Sequence, residues 1–229
     1  MNLTLTHSSS NLRPVIVLLG GPGSGKGTHG QTLARAFGFQ HLSSGEHFRD
    51  HILRGTALGR RAQVKIEAGH LVSDEMAVGL VREMLGANPG AQGFVLDGYP
   101  RSLAQAEALQ HLTSELGIVI SKAVFLKVSD EEIIRRLSGR LTCRTCGATC
   151  HETYRPPAVR GVCDNCGGAL FRRTDDEPSA IRERIIQFHE MTTPITDFYQ
   201  SSGILIKVDA EGSPTKVSTR IMSAIDGAK

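Results

Sequence analysis

The stretch Gly20-Gly21-Pro22-Gly23-Ser24-Gly25-Lys26-Gly27-Thr28 decides the fold of this chain. It follows a β-branched apolar run at residues 15–19, which predicts a buried strand, and precedes residues 31–37, which predict a helix. Glycines let backbone N–H groups curl around an anion, and a helix N-terminus adds partial positive charge. Lys26 then supplies a mobile cation for β- and γ-phosphates. We therefore predict a phosphate-binding loop, in a variant where Gly27 separates the lysine from Thr28.

Composition limits the class of protein. The chain has 229 residues, a formal net charge of +3 and 40% hydrophobic residues, which allows one domain with insertions. This mild charge suits a binder of small polyanions and is too weak to indicate nucleic acid. No apolar run reaches the roughly 20 residues of a membrane helix. Five cysteines without a secretion signal favour a reducing, cytoplasmic location, and residues 1–12 predict a disordered tail.

Strand and helix patterns alternate along the chain. Predicted strands cover 15–19, 94–97, 123–128 and 204–208, and predicted helices cover 28–37, 60–68, 74–86, 102–111, 130–138, 177–201 and 214–226. The fold class is therefore α/β, a P-loop-type parallel sheet wrapped by helices that binds ligands at the carboxyl ends of its strands. The core comprises 13–42, 73–138 and 177–229. Segments 43–72 and 139–176 interrupt the alternation and are predicted insertions that act as lids.

The second insertion carries two Cys-x-x-Cys pairs with sixteen residues between them: Cys143, Cys146, Cys163 and Cys166. Each pair aims two thiolates at one ion, and two pairs close a tetrahedron with no open position, which predicts structural rather than catalytic zinc. The alternatives are four unrelated thiols, or Cys150 or His151 as a substitute ligand. Flanking arginines would also suit a nucleic-acid-binding ribbon, but a lid over a nucleotide better explains a ribbon inside a phosphate-binding protein.

An acid ends the predicted strand at 94–97. Asp97 is placed to hold magnesium through water, Gly98 allows close backbone approach, and Arg101 offers a bidentate fork for phosphate. A plain strand-to-helix turn with Asp97 as a cap is the alternative. Gln105 follows one helical turn later, where its amide is able to pair with an adenine edge, unless it is an ordinary surface glutamine.

Further arginines recur near the second insertion, at Arg136, Arg140, Arg173 and Arg184. Such charges usually form a solvated helix face. Phosphoryl transfer between two nucleotides, however, requires several cations to offset the charge on the transferring group. This chemistry depends on positioning and electrostatics, so it needs no nucleophile–base pair.

Together these residues resemble the adenylate kinase family, in its long-lid, zinc-binding bacterial form. The resemblance runs from Val15 to about Ile225. Its motifs are the loop at 20–28, residues 42–49 (LSSGEHFR), residues 68–75 (AGHLVSDE), Asp97-Gly98-Tyr99-Pro100-Arg101 with Gln105, Arg136, Gly139-Arg140, Arg173-x-Asp175-Asp176 and Arg184. It implies reversible, Mg²⁺-dependent transfer between ATP and AMP to give two ADP, in a monomer without nucleic-acid or membrane partners.

The resemblance also implies residue roles. The ATP site would comprise Gly23, Ser24, Gly25, Lys26, Gly27, Thr28, Arg136, Arg140, Thr149, Cys150 and Gly212. The AMP site would comprise Ser44, Arg49, His70, Leu71, Val72, Gly98, Tyr99, Pro100, Arg101, Gln105, Arg173 and Arg184. Catalysis would rest on Lys26, Asp97, Arg101, Arg140, Arg173 and Arg184.

The chain departs from the family pattern at several of these positions: Ser44 for Thr, Glu46 for Asp, His70 for Lys, Tyr99 for Phe and Cys150 for Tyr. No departure removes a cationic phosphate ligand. A UMP/CMP or GMP kinase on the same fold is the first alternative, although Gln105 and the pair at 71–72 favour AMP. A nucleic-acid-binding P-loop ATPase with a zinc ribbon is the second.

Overall fold

The computed structural model describes residues 12–227, so the predicted tail at 1–12 lies outside the described residues except for Leu12. Its strands are β1 (Arg13–Gly20), β2 (Gln40–Ser43), β3 (Phe94–Asp97), β4 (Ile118–Lys127), β5 (Arg140–Cys143), β6 (Thr149–His151), β7 (Leu170–Phe171) and β8 (Leu205–Asp209). Its α-helices are α1 (Lys26–Phe37), α2 (Ser44–Leu53), α3 (Ala57–Glu67), α4 (Asp74–Gly86), α5 (Leu103–Glu115), α6 (Asp130–Ser138), α7 (Pro178–Gln187), α8 (Ile195–Ser201) and α9 (Pro214–Gly227).

A five-stranded parallel sheet in the order β2-β3-β1-β4-β8 forms the core and confirms the predicted fold class. Alternate residues of the central strand β1 face opposite sides of this sheet. Val15, Val17 and Leu19 pack in one apolar cluster, which includes residues of α4 and α5. Ile16 and Leu18 pack in a second cluster, which includes residues of α1 and α9. All five side chains are buried, so helices cover both faces and leave the carboxyl edge for ligands.

Several predicted boundaries are wrong. Strand β2 went unpredicted because its four residues alternate only weakly and lie at the sheet edge. Strand β4 begins at Ile118, five residues before the prediction. The predicted helix at 177–201 divides into α7, a π-helical turn at Phe188–Thr192 and α8. Pro194 explains the division, because it has no N–H for an α-helical bond to the carbonyl four residues back.

The two predicted insertions form separate small structures beside the carboxyl edge. Helices α2 and α3 occupy the first, and they pack so closely that a Cβ on Gly59 would lie 2.1 Å from the carbonyl oxygen of His51. The second holds a three-stranded antiparallel sheet in the order β6-β5-β7. Over the described residues, no helix combines the length and apolar character needed to cross a membrane.

Candidate active site

The predicted phosphate-binding loop joins β1 to α1. Gly25, at the helix N-cap, has a φ of 95° and supplies no side-chain cap, so the first amides of α1 remain open to the loop. Gly20 has a φ of 145°, and a Cβ there would lie 2.8 Å from the carbonyl oxygen of Leu126. The backbone conformation of this loop therefore requires glycine, as the sequence predicts, and the structure adds a close approach to β4 at Gly20 that also excludes a side chain.

Lys26 turns back over this loop. Its Nζ donates hydrogen bonds to the carbonyl oxygens of Gly20 and Gly21, each at 2.7 Å. Burial lowers its pKa to about 8, and the charges of Arg101 and Arg184 add to that effect against the opposing charge of Asp97. Lys26 is thus a half-buried cation within a largely cationic neighbourhood, and polyphosphate would stabilise its charged form.

Asp97 ends β3 beside the start of α1, where a Cβ on Gly27 would lie 3.5 Å from its Oδ2. Burial opposes ionisation of Asp97, but His41, Lys26 and Arg101 outweigh it and lower the pKa of the carboxyl. The Nε2 atom of His41 lies 3.7 Å from Oδ2, beyond hydrogen-bond distance. An ionised, buried carboxylate at the lip of a phosphate-binding loop fits a magnesium ligand.

A cleft of about 350 Å³ opens above the loop, between α2, α6, α7 and the β5–β6 turn. Among the described residues, its cationic lining consists of Lys26, Arg49, Arg101, Arg136, Arg140, Arg155, Arg173 and Arg184. The acidic lining is Glu46 and Asp97. Such an excess of positive charge in a concave site attracts polyanions.

Burial and repulsion from neighbouring arginines together lower the pKa values of Arg101 and Arg173. Burial, reinforced by Arg184, lowers the pKa of Arg101 to about 10. Burial, reinforced by Arg140 and Arg49, lowers the pKa of Arg173 to about 9. Protein folding has therefore gathered cations at an energetic cost, which a bound polyphosphate would offset.

Two acids in a short 3-10 helical turn, Thr174–Asp176, just before α7 hold part of this cluster in place. The guanidinium of Arg140 makes a bidentate pair with Asp176, with Nε 2.7 Å from Oδ2. Arg184 Nη1 lies 3.0 Å from Asp176 Oδ1 and 3.2 Å from Asp175 Oδ2. Asp176 is fully buried, so its carboxylate fixes the separation of two arginines for which the family resemblance implies a role at the phosphates.

A smaller cavity of about 70 Å³ adjoins the cleft. Ten of the twelve predicted AMP-site residues line it: Ser44, Arg49, His70, Leu71, Val72, Gly98, Tyr99, Arg101, Gln105 and Arg184. The other two, Pro100 and Arg173, line the cleft. Gln105 is buried, and its amide bonds the N–H of Arg101 at 2.8 Å and Asp74 Oδ1 at 2.7 Å, so it fixes the backbone of this cavity.

Only eight of the eleven predicted ATP-site residues line the cleft. Gly23, Gly25, Lys26, Gly27, Thr28, Arg136, Arg140 and Thr149 line the cleft. Ser24, Cys150 and Gly212 are not part of this lining. Ser24 belongs to the loop, but its side chain is fully buried, and Cys150 pairs with Leu141 in the small sheet.

Among the cleft-lining residues that sequence reasoning did not assign to a site are Arg155, Phe188 and Thr192. In the sequence, Arg155 is only one of several arginines that flank the four cysteines. Phe188 and Thr192 lie in the π-helical turn, which no periodicity signal predicted.

The four predicted cysteines meet at the turns of the small sheet, with their Sγ atoms all within 4.8 Å of one another. Cys143 and Cys166 Sγ lie 3.5 Å apart, and Cys146 and Cys163 Sγ lie 3.7 Å apart. Zn–S bonds of about 2.3 Å in a tetrahedron require S–S edges of about 3.8 Å, so the four thiols fit zinc. Gly147 and Gly167, with φ of 70° and 73°, make the tight turns after each pair.

A glycine-rich phosphate loop, a wall of arginines and two adjoining cavities define a P-loop phosphotransferase that acts on nucleotides. The family model for adenylate kinase matches residues 18–204, and the chain belongs to the adenylate kinase family. This confirms the resemblance seen in the sequence.

Relatives in several bacteria are similar over nearly their whole length. The adenylate kinase of Acidothermus cellulolyticus is 42% identical over 210 residues, which cover 92% of this chain and 97% of the relative. That of Bacillus licheniformis is 40% identical, covering 93% of this chain and 98% of the relative. That of Caldicellulosiruptor bescii is 39% identical, covering 92% and 98%.

Proposed function

We propose that this enzyme transfers a phosphoryl group reversibly from Mg²⁺-bound ATP to AMP, giving two ADP, and so serves adenine nucleotide homeostasis and purine salvage. One observation carries the proposal: the cleft and the smaller cavity share a wall that includes Arg49, Arg101 and Arg184. A donor phosphate chain on the loop and an acceptor phosphate in the small cavity would meet at this wall. Nothing in the site favours the UMP/CMP kinase, GMP kinase or nucleic-acid ATPase alternatives.

The proposed role of each site residue follows from its position. The amides of the loop and Lys26 hold the donor phosphates. Arg136 lies beside the loop, with Nη1 3.5 Å from the carbonyl oxygen of Gly23, and its Nη2 donates to the carbonyl oxygen of Ala210 at 2.9 Å. Arg101 and Arg184 neutralise charge that spreads over the transferring group. An oxygen of the acceptor phosphate is itself the nucleophile, so alignment and charge neutralisation supply the rate enhancement.

A magnesium ion would bind at the phosphate-binding loop, beside Asp97. Asp97 and Thr28 would hold it, Asp97 through water, and the ion would neutralise β- and γ-phosphate charge when bound. This chain's own contribution is an ionised carboxylate kept in place beside the loop.

We further propose that residues 43–72 form the AMP-binding insertion and residues 139–176 a zinc-bearing lid. The lid brings Thr149 and Arg155 to the cleft. Zinc at the four cysteines would fix the lid's own fold, because it leaves no coordination position for a substrate. The enzyme would act as a cytoplasmic monomer.

A label-transfer assay tests the proposal. ATP labelled at the γ-phosphate and unlabelled AMP should give ADP that carries the label, and without AMP little free phosphate should form. Lys26→Ala should lower kcat by about 10²–10³-fold, the usual cost of losing one preorganised charge-stabilising group, with an unchanged circular dichroism spectrum. Label released as phosphate regardless of AMP would instead indicate an ATPase.

A further inference from the structure

The π-helical turn between α7 and α8 determines which carbonyl oxygens Thr192 and the next residue, Thr193, bond. The N–H of Thr193 bonds the carbonyl oxygen of Phe188, five residues back, at 3.0 Å. The hydroxyl of Thr193 also donates to that oxygen, at 3.3 Å. A threonine hydroxyl inside a helix usually bonds a carbonyl oxygen three or four residues back. For Thr192 the carbonyl four residues back is that of Phe188, and Thr193 already donates two bonds to it.

Thr192 uses its hydroxyl differently. It is buried, and its Oγ1 donates to the carbonyl oxygen of Arg101 at 3.0 Å, across 91 residues of chain. Thr192 and Arg101 both line the cleft. The extra residue in the π-helical turn therefore provides a long-range hydrogen bond in the active site, in keeping with the frequent occurrence of such turns at functional sites.

Arg101 is held at three points. Its N–H donates to Gln105 Oε1 at 2.8 Å, and its own Nε donates to the carbonyl oxygen of Gly98 at 2.7 Å. Thr192 supplies the third bond, to the carbonyl on the far side of the residue. Gly98 lies in the same strand-to-helix connection as Arg101, and Gln105 lies in the first turn of the helix α5 that follows it. Thr192 comes from a separate element, the π-helical turn between α7 and α8.

We propose that Thr192 is a positioning residue for phosphoryl transfer, which fixes the backbone of Arg101 and so aims its guanidinium at the wall shared by the two cavities. The proposal rests on the proposed function, because it assigns Arg101 to the transferring phosphate. Displacement of a reacting group by about 1 Å can cost 10²-fold in rate, so one buried hydrogen bond that sets this position has a measurable effect.

Three variants test it. Thr192→Val removes the hydroxyl while conserving shape, Thr192→Ser keeps it, and Thr193→Val removes a hydroxyl that serves only its own helix. We expect Thr192→Val to lower kcat/KM for AMP by about tenfold, with KM for ATP within twofold of wild type. Thr192→Ser and Thr193→Val should stay within about twofold of wild type in both parameters.

A second readout does not depend on activity. The Nε–H signal of Arg101 in an NMR spectrum should shift or broaden in Thr192→Val and remain in place in Thr193→Val. An unmoved Arg101 signal, or equal losses of kcat/KM in Thr192→Val and Thr193→Val, would overturn the positioning role. A wild-type enzyme without phosphoryl transfer would overturn the proposed function, and the NMR comparison would still decide the role of Thr192.

Discussion

Replacing Asp176 by alanine removes the anion that holds two arginines of the site. Its fully buried carboxylate accepts a bidentate pair from Arg140 and a further bond from Arg184. Breaking a buried ion pair from one side costs about 3–5 kcal/mol, because the partner charge is left uncompensated. For a domain of this size, 1 kcal/mol shifts Tm by about 2–4 °C, so a loss of about 4 kcal/mol predicts a decrease of about 8–16 °C.

Glu152→Ala provides the matched control. Glu152 also accepts two hydrogen bonds from an arginine, both from Arg172 Nη2, at 2.8 and 2.9 Å, but its side chain is 49% exposed. Exposed pairs contribute about 0–1 kcal/mol, so Tm should change by less than about 4 °C. Calorimetry on both variants checks this, with turnover of ATP and AMP measured in parallel. Equal shifts in Tm for Asp176→Ala and Glu152→Ala would refute the reasoning from burial.

Further perturbations test the loop, the metal centre and the lid. Because burial lowers the pKa of Lys26 to about 8, kcat/KM for ATP should fall roughly tenfold per pH unit above 8. The free energy of unfolding should rise between pH 8 and 10.5 through this lysine, since the unfolded chain holds its proton more tightly. If kcat/KM and the free energy of unfolding both stayed constant up to pH 9.5, the lowered pKa of Lys26 would be contradicted. Cys143→Ser should lose bound zinc and lower Tm while retaining activity, Cys150→Ser should keep the metal, and abolished chemistry in a folded Cys143→Ser would indicate a catalytic metal. Arg155→Ala should raise KM for ATP about fivefold with KM for AMP unchanged, whereas Arg160→Ala, which lies outside the cleft lining, should match wild type; equal effects would exclude a direct role of Arg155.

The parts of the site that follow from local sequence were predictable. The loop needs glycine and lysine at fixed spacing between a strand and a helix, and the four-cysteine cluster needs two Cys-x-x-Cys turns, so both patterns are visible in short stretches. Strand β3 likewise appeared with correct bounds, since its apolar run is short and ends in Asp97.

The parts that depend on tertiary contacts were not predictable. Arg155 is one exposed arginine among several in residues 139–176, and only the fold places it at the cleft. Gln105 was predicted to face a nucleobase, whereas the structure gives its amide to Arg101 and Asp74; its pairing with adenine remains a prediction. The hydrogen bond from Thr192 requires a π-helical turn, and the sequence shows only a proline two residues later.

Nucleoside monophosphate specificity tests the central claim most directly. A coupled assay that detects ADP would compare AMP, UMP, CMP and GMP as acceptors at saturating Mg²⁺-ATP. The arginines at the shared wall should serve any acceptor phosphate, so discrimination must come from the small cavity around Gln105 and residues 71–72. We predict kcat/KM for AMP at least about 10²-fold above that for each other acceptor, since mismatched polar groups in a buried base pocket go unpaired. Turnover with UMP equal to or greater than turnover with AMP would contradict the assignment.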